Sequence, residues 1–172
     1  MGTDKAMLPH PSGKSFLDHA VQRFSTVADQ VAISGRVTQD SSLTHIADLS
    51  PSMGPAMAVY SAVLFASQNR FDAVIVTPVD MPDLSVDHIK QLVAAGNESE
   101  PTCAVFESKI PHPLVAIYPA VLLQELEQVA LSPQRSLRRW LSTRSFIAVS
   151  FESLTLRDIN TPEQFSSCNK RS

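Results

Sequence analysis

Phe16, Ala20, Val21, Phe24 and Val27 recur at helical spacing behind Ser15, and this stripe predicts a first amphipathic helix with Ser15 as its cap. Val31-Ala32-Ile33-Ser34 is a short strand ending near Gly35, and the polar residues that follow, to Asp48, read as a loop. Ser50-Pro51-Ser52-Met53-Gly54-Pro55 opens a second helix, Ala56 to Ser67, with Pro55 suited to its first turn. That helix is apolar on nearly all sides, which predicts burial against a sheet. The stretch Phe71 to Asp83 is an apolar, β-branched run that stops at a proline and then presents Asp80, and it reads as a central strand buried on both faces. An amphipathic helix from about Ser85 to Ala95, ended by Gly96 and Asn97, comes next.

The second half keeps the alternation. Thr102 to Phe106 and Pro113 to Tyr118 read as strands close enough in sequence to pair with each other, antiparallel pairing being one option. Pro119 starts a helix to about Ala130, Ser136 to Leu141 is a basic helical turn, and Phe146 to Phe151 is the last clear strand. Thr161 caps a short terminal helix with Pro162 in its first turn. Strands interleaved with helices in this way define an α/β fold, a sheet covered by helices. In such sheets the ligand site lies beyond the carboxyl ends of the strands, so Asp80 is expected at the rim of the site.

Composition narrows the classes. A chain of 172 residues is the size of one domain with a full core, and a formal charge of -3 offers no basic footprint for nucleic acid. Cys103 and Cys168 stand far apart in no metal-binding spacing, which fits a reducing, cytoplasmic setting. The longest apolar stretch, Ala56 to Ala66, falls short of the ~20 residues a membrane span needs.

Five short motifs then occur in order: Met1-Gly2-Thr3-Asp4-Lys5-Ala6, Gly54-Pro55, the apolar strand into Val79-Asp80-Met81-Pro82, His112-Pro113-Leu114, and Asn160-Thr161-Pro162-Glu163. In this order and spacing the chain resembles the molybdenum cofactor guanylyltransferases over nearly its whole length. The resemblance implies a Rossmann-like nucleotidyltransferase sheet, mostly parallel, with an antiparallel strand as an option in the second half. It implies transfer of GMP from GTP, with Mg²⁺, to the phosphate of molybdopterin, and contact with molybdoenzymes or their chaperones.

The resemblance also implies roles. Asp80 matches the magnesium ligand, and Mg²⁺ needs only one or two carboxylates beside water and phosphate. Lys5 matches the lysine that brings an ammonium to the triphosphate, which suits a reaction between two anions. Asp48 stands where the family's nucleotide-binding Asp does, and His112 and Asn160 match positions on the substrate side. Arg135, Arg138 and Arg139 read as a solvated face.

Where the family opens with an apolar strand and a Leu-Ala-Gly-Gly loop ending in Arg-Met-Gly, this chain starts at the Met-Gly. On that resemblance it is a single nucleotidyltransferase-like domain, 1–172, N-terminally incomplete. Ala58 stands where the family often has a second glycine, and Ser34 where it often has an asparagine. Two alternatives remain beside the guanylyl reading: a related cytidylyl- or sugar nucleotidyltransferase, and a catalytically impaired nucleotide- or partner-binding domain. Asp4 before Lys5 favours the guanylyl branch, again by resemblance alone.

Overall fold

The computed structural model describes residues 13–35, 43–47, 53–81, 83–105 and 110–152. The predicted first helix is α1, Phe16–Phe24. Its cap is reciprocal: the Asp18 N–H donates to the Ser15 hydroxyl at 3.0 Å, and the Ser15 N–H donates to the Asp18 carboxylate at 3.4 Å. Caps of this kind are worth about 1 kcal/mol.

Strand β1 (Ala32–Ser34) pairs in parallel with β2 (Thr44–Ile46), Ala32 opposite Thr44 and Ser34 opposite Ile46. Strand β2 lies in the stretch expected to be a loop. Its three residues show no apolar run, and long-range partners fix them instead: Gln30 Nε2 donates to Thr44 Oγ1 at 2.8 Å, and His45 Nε2 lies 2.6 Å from the Gly35 carbonyl oxygen.

Helix α2 (Pro55–Gln68) starts at the expected proline and buries residues around its whole girth, from Ala56 and Met57 to Val63 and Ala66. The chain continues through β3 (Ala73–Val76), α3 (Val86–Ala95), β4 (Thr102–Val105) and β5 (Pro111–Pro119). A 3-10 turn, Ala120–Leu122, leads into α4 (Leu123–Leu131), followed by α5 (Leu137–Ser142) and β6 (Ile147–Ser150). The second sheet has the order β3-β5-β4-β6. Strand β5 runs antiparallel to both β3 and β4, while β4 and β6 are parallel. Strands β3, β4 and β6 therefore share one direction and β5 alone opposes them, which is the antiparallel element the second half left open.

One expectation is corrected here. Strand β3 is an edge strand of its sheet and only half-buried, whereas β4, flanked by β5 and β6, has all four residues buried. An apolar run reports that a strand packs against something; it does not report how many neighbours the strand has.

The core has two faces because β5 alternates. Ala116 and Tyr118 pack with Val59, Val63, Leu126 and Leu141 from α2, α4 and α5. Val115 and Ile117 pack on the other face with Met81, Leu84 and Leu92. Helices thus cover both sides of the sheet.

Between β1 and β3, which belong to different sheets, lies an apolar slot of about 540 Å³. Helix α1 walls it through Leu17, Val21 and Phe24, and α2 walls it through Ala62 and Ala66. A residue in a packed strand occupies a box roughly 3.3 Å long, 4.8 Å wide and 10 Å deep, so the slot has room for about three to four strand residues.

Candidate functional site

At the carboxyl ends of β1 and β3 the chain leaves a cleft of about 360 Å³, lined among others by Ser34, Gly35, Gly54, Pro55, Thr77 and Pro78. The start of α2 forms one wall. Gly54, its N-cap, has φ +81° and ψ -176°, a conformation essentially reserved for glycine, and among the described residues no side chain caps the helix. A helix N-terminus carries a partial positive charge, so this wall favours an anionic group.

The opposite wall supplies a polar group that the sequence reading missed. Thr77 Oγ1 is buried and has no hydrogen-bond partner among the described residues. A desolvated hydroxyl of this kind is costly, and a donor or acceptor on a bound ligand would satisfy it. Nothing in the sequence around Thr77 marks a hydroxyl that will be cut off from water.

Asp80 sits three residues beyond Thr77 in a turn past the end of β3, half-buried and within about 11 Å of chain. Met81 and Leu84, both fully buried, tie down the segment that follows. His112 lies near the start of β5, opposite Ala104 after a register shift. Val76 pairs with Ala116 across antiparallel strands, and Asp80 and His112 each lie four residues further toward the same end. Asp80 and His112 are thus brought to one rim of the sheet. Lys5, Asp48 and Asn160 lie outside the described residues, as do the 1–6 and 160–163 motifs.

Among the described residues no group of three or more His, Cys, Asp or Glu could cage a metal ion. A single hard carboxylate at the rim suits Mg²⁺, which takes its remaining ligands from water and substrate phosphate. Arg138 and Arg139 are exposed on α5 and Arg135 precedes it; none of the three lines the cleft. Cys103 is buried, and desolvation pushes its thiol up to about 12, so it is no nucleophile near neutral pH. Among the described residues no helix is long and apolar enough to cross a membrane.

A mixed α/β sheet with a cleft beyond the carboxyl ends of two strands is the arrangement in which α/β proteins take their ligands. The profile of the MobA-like NTP transferase domain matches residues 1–148, and the chain belongs to that family. It is 39% identical over 173 residues to a probable molybdenum cofactor guanylyltransferase of Rhodopirellula baltica, covering 94% of this chain and 82% of the relative. In fold it is similar to molybdopterin-guanine dinucleotide biosynthesis protein A of Archaeoglobus fulgidus, with a TM-score of 0.75 at 18% identity, covering 99% of this chain and 91% of that one. It is also similar to a Mycobacterium tuberculosis protein solved in complex with manganese, with a TM-score of 0.69 at 13% identity, covering 98% and 93%. The family expected from the five motifs is the family found.

Proposed function

We propose that this chain transfers GMP from GTP to the phosphate of molybdopterin, forming the guanine dinucleotide cofactor and releasing pyrophosphate. The observation that carries this reading is the 39% identity to a probable molybdenum cofactor guanylyltransferase over 82% of that protein's length. In the reaction an oxygen of the pterin phosphate attacks the α-phosphorus of GTP, and the bond from that phosphorus to the pyrophosphate oxygen breaks. Two anions must meet, so catalysis rests on positioning and on offsetting charge.

Each residue has a task in that scheme. Asp80 holds Mg²⁺, which when bound supplies the charge that offsets the phosphates. Lys5 brings its ammonium to the triphosphate, and Asp48 accepts hydrogen bonds from the guanine or the ribose. Thr77 and the start of α2 meet the nucleotide in the cleft, while His112 and Asn160 face the pterin side. The setting is the cytoplasm, with molybdoenzymes or their chaperones as transient receivers of the product.

The test is incorporation of label from [α-³²P]GTP into molybdopterin with Mg²⁺, with CTP as competitor. Magnesium-dependent GMP transfer that CTP does not displace is expected. Transfer of CMP in preference to GMP would replace the guanylyl reading with the cytidylyl one, and no transfer of either nucleotide would refute both.

A further inference from the structure

Among the described residues Arg23 is the one cation that is buried rather than solvated. It lies in the last turn of α1, is 6% exposed, and no carboxylate among the described residues pairs with it. Its Nη1 donates to the carbonyl oxygen of Met81 at 3.1 Å and to that of Leu84. Nε finds no hydrogen-bond partner among the described residues. Burial lowers its pKa to about 10, which marks how strongly the site resists the charge, although a guanidinium remains protonated at neutral pH.

A buried guanidinium with no counter-ion among the described residues is an expensive way to fill space. An apolar side chain of similar volume often does as well or better where stability alone is at issue. What the guanidinium adds is two directed bonds to the backbone, one to the Met81 carbonyl and one to the Leu84 carbonyl. Met81 follows Asp80 directly, so one of the two clamped carbonyls belongs to the peptide next to the carboxylate. The planar fork of an arginine can hold two carbonyls from one nitrogen position with little loss of freedom, which an ammonium on a flexible stem does less well.

We infer that Arg23 is a positioning residue: it clamps the Met81–Leu84 segment from α1 and so fixes the direction in which Asp80 presents its carboxylate at the rim. Met81 and Leu84 bury their side chains in the core, which sets the depth of the segment but not the rotation of its peptides. The clamp sets the rotation. The inference rests on the reading of Asp80 as the carboxylate that holds the divalent ion.

The experiment compares Arg23→Met and Arg23→Lys with Asp80→Asn in the full chain, in the presence of excess GTP. Amide hydrogen exchange over residues 81–85 reads the clamp, and titration with Mn²⁺, followed by paramagnetic broadening of backbone amide signals near Asp80, reads the metal site even when binding is weak. Arg23→Met is expected to speed exchange at 81–85 and to weaken Mn²⁺ binding by roughly tenfold, the low end of what loss of a supporting contact costs a metal site. Arg23→Lys should recover part of both, and adding Arg23→Met to Asp80→Asn should weaken binding no further. Unchanged exchange at 81–85 in Arg23→Met overturns the inference outright. Faster exchange with unchanged Mn²⁺ affinity, while Asp80→Asn does weaken it, also overturns it and leaves Arg23 a purely structural residue. If Asp80→Asn itself leaves Mn²⁺ affinity unchanged, the metal reading of Asp80 fails and the role of Arg23 toward the metal falls with it.

Discussion

Gly54→Ala should destabilise the chain through the backbone alone. The position has φ +81° and ψ -176°, yet a Cβ built there meets nothing within 4 Å, so no steric clash contributes. Forcing an L-residue into this region costs of order 1–3 kcal/mol. Alanine recovers about 0.4–1 kcal/mol by restricting the unfolded chain, leaving a net loss centred near about 1.3 kcal/mol, up to about 2.6 kcal/mol. For a domain of this size each kcal/mol lowers Tm by about 2–4 °C, so a drop of about 3–5 °C is expected in a melt followed by circular dichroism. The control is Gly96→Ala. Gly96 has φ -65°, and its added Cβ would meet Val93 O at 3.4 Å and Leu92 O and Thr102 Oγ1 at 3.5 Å, ordinary contacts. Because Gly54 starts α2 at the cleft, the same substitution should weaken GTP binding, whereas Gly96→Ala should not. A Gly54→Ala variant that melts with the wild type, or a Gly96→Ala variant that falls as far, would refute the conformational argument.

Asp80→Asn keeps the shape of the side chain and removes its charge; GMP transfer should fall to background while the melting curve holds, and a variant retaining most of its rate would show that Asp80 is not the metal carboxylate. Lys5→Ala should raise KM for GTP, lower kcat, or do both, and unchanged steady-state kinetics would return Lys5 to solvent. The Cys103 thiol, pushed by burial from 9.0 to about 12, keeps its proton in the folded state at a pH where the unfolded chain has lost it. Its contribution is therefore whole below pH 9 and is lost as pH rises from 9 toward 12, by up to about 4 kcal/mol. Urea midpoints for Cys103→Ala should decline less steeply across that window than those of the wild type, and parallel declines would contradict the assignment.

What could be read from the sequence followed from how local its cause was. Ser15 and Ser85 announce their helices because a cap acts within three residues, and Pro55 marks the start of α2 for the same reason. Asp80 was legible as a rim residue because the strand before it ends at a proline. Strand β2 was not legible, since Thr44 to Ile46 become a strand only by pairing with Ala32 to Ser34. The edge position of β3 escaped for a related reason: pairing partners lie dozens of residues away, and apolar content alone cannot count them. Thr77 and Arg23 became visible only when burial was known, because a hydroxyl or a guanidinium carries no mark in the sequence that it will be cut off from water.

The reversed strand β5 also sets an order of events. Pairing Val105 with Pro111 closes a loop of five residues, 106–110, whereas pairing Val76 with Ala116 closes one of 39, 77–115. Closure entropy grows as (3/2)RT ln n, so the longer loop costs about 2 kcal/mol more. The β4–β5 ladder can therefore nucleate the sheet locally, and β3 must be recruited to it across α3. During synthesis β3 emerges first yet has no partner until β5 follows. The strand that leads to Asp80 is thus the piece of this sheet that waits longest for a neighbour, and the nascent chain carries that edge unprotected for the time it takes to make some forty residues.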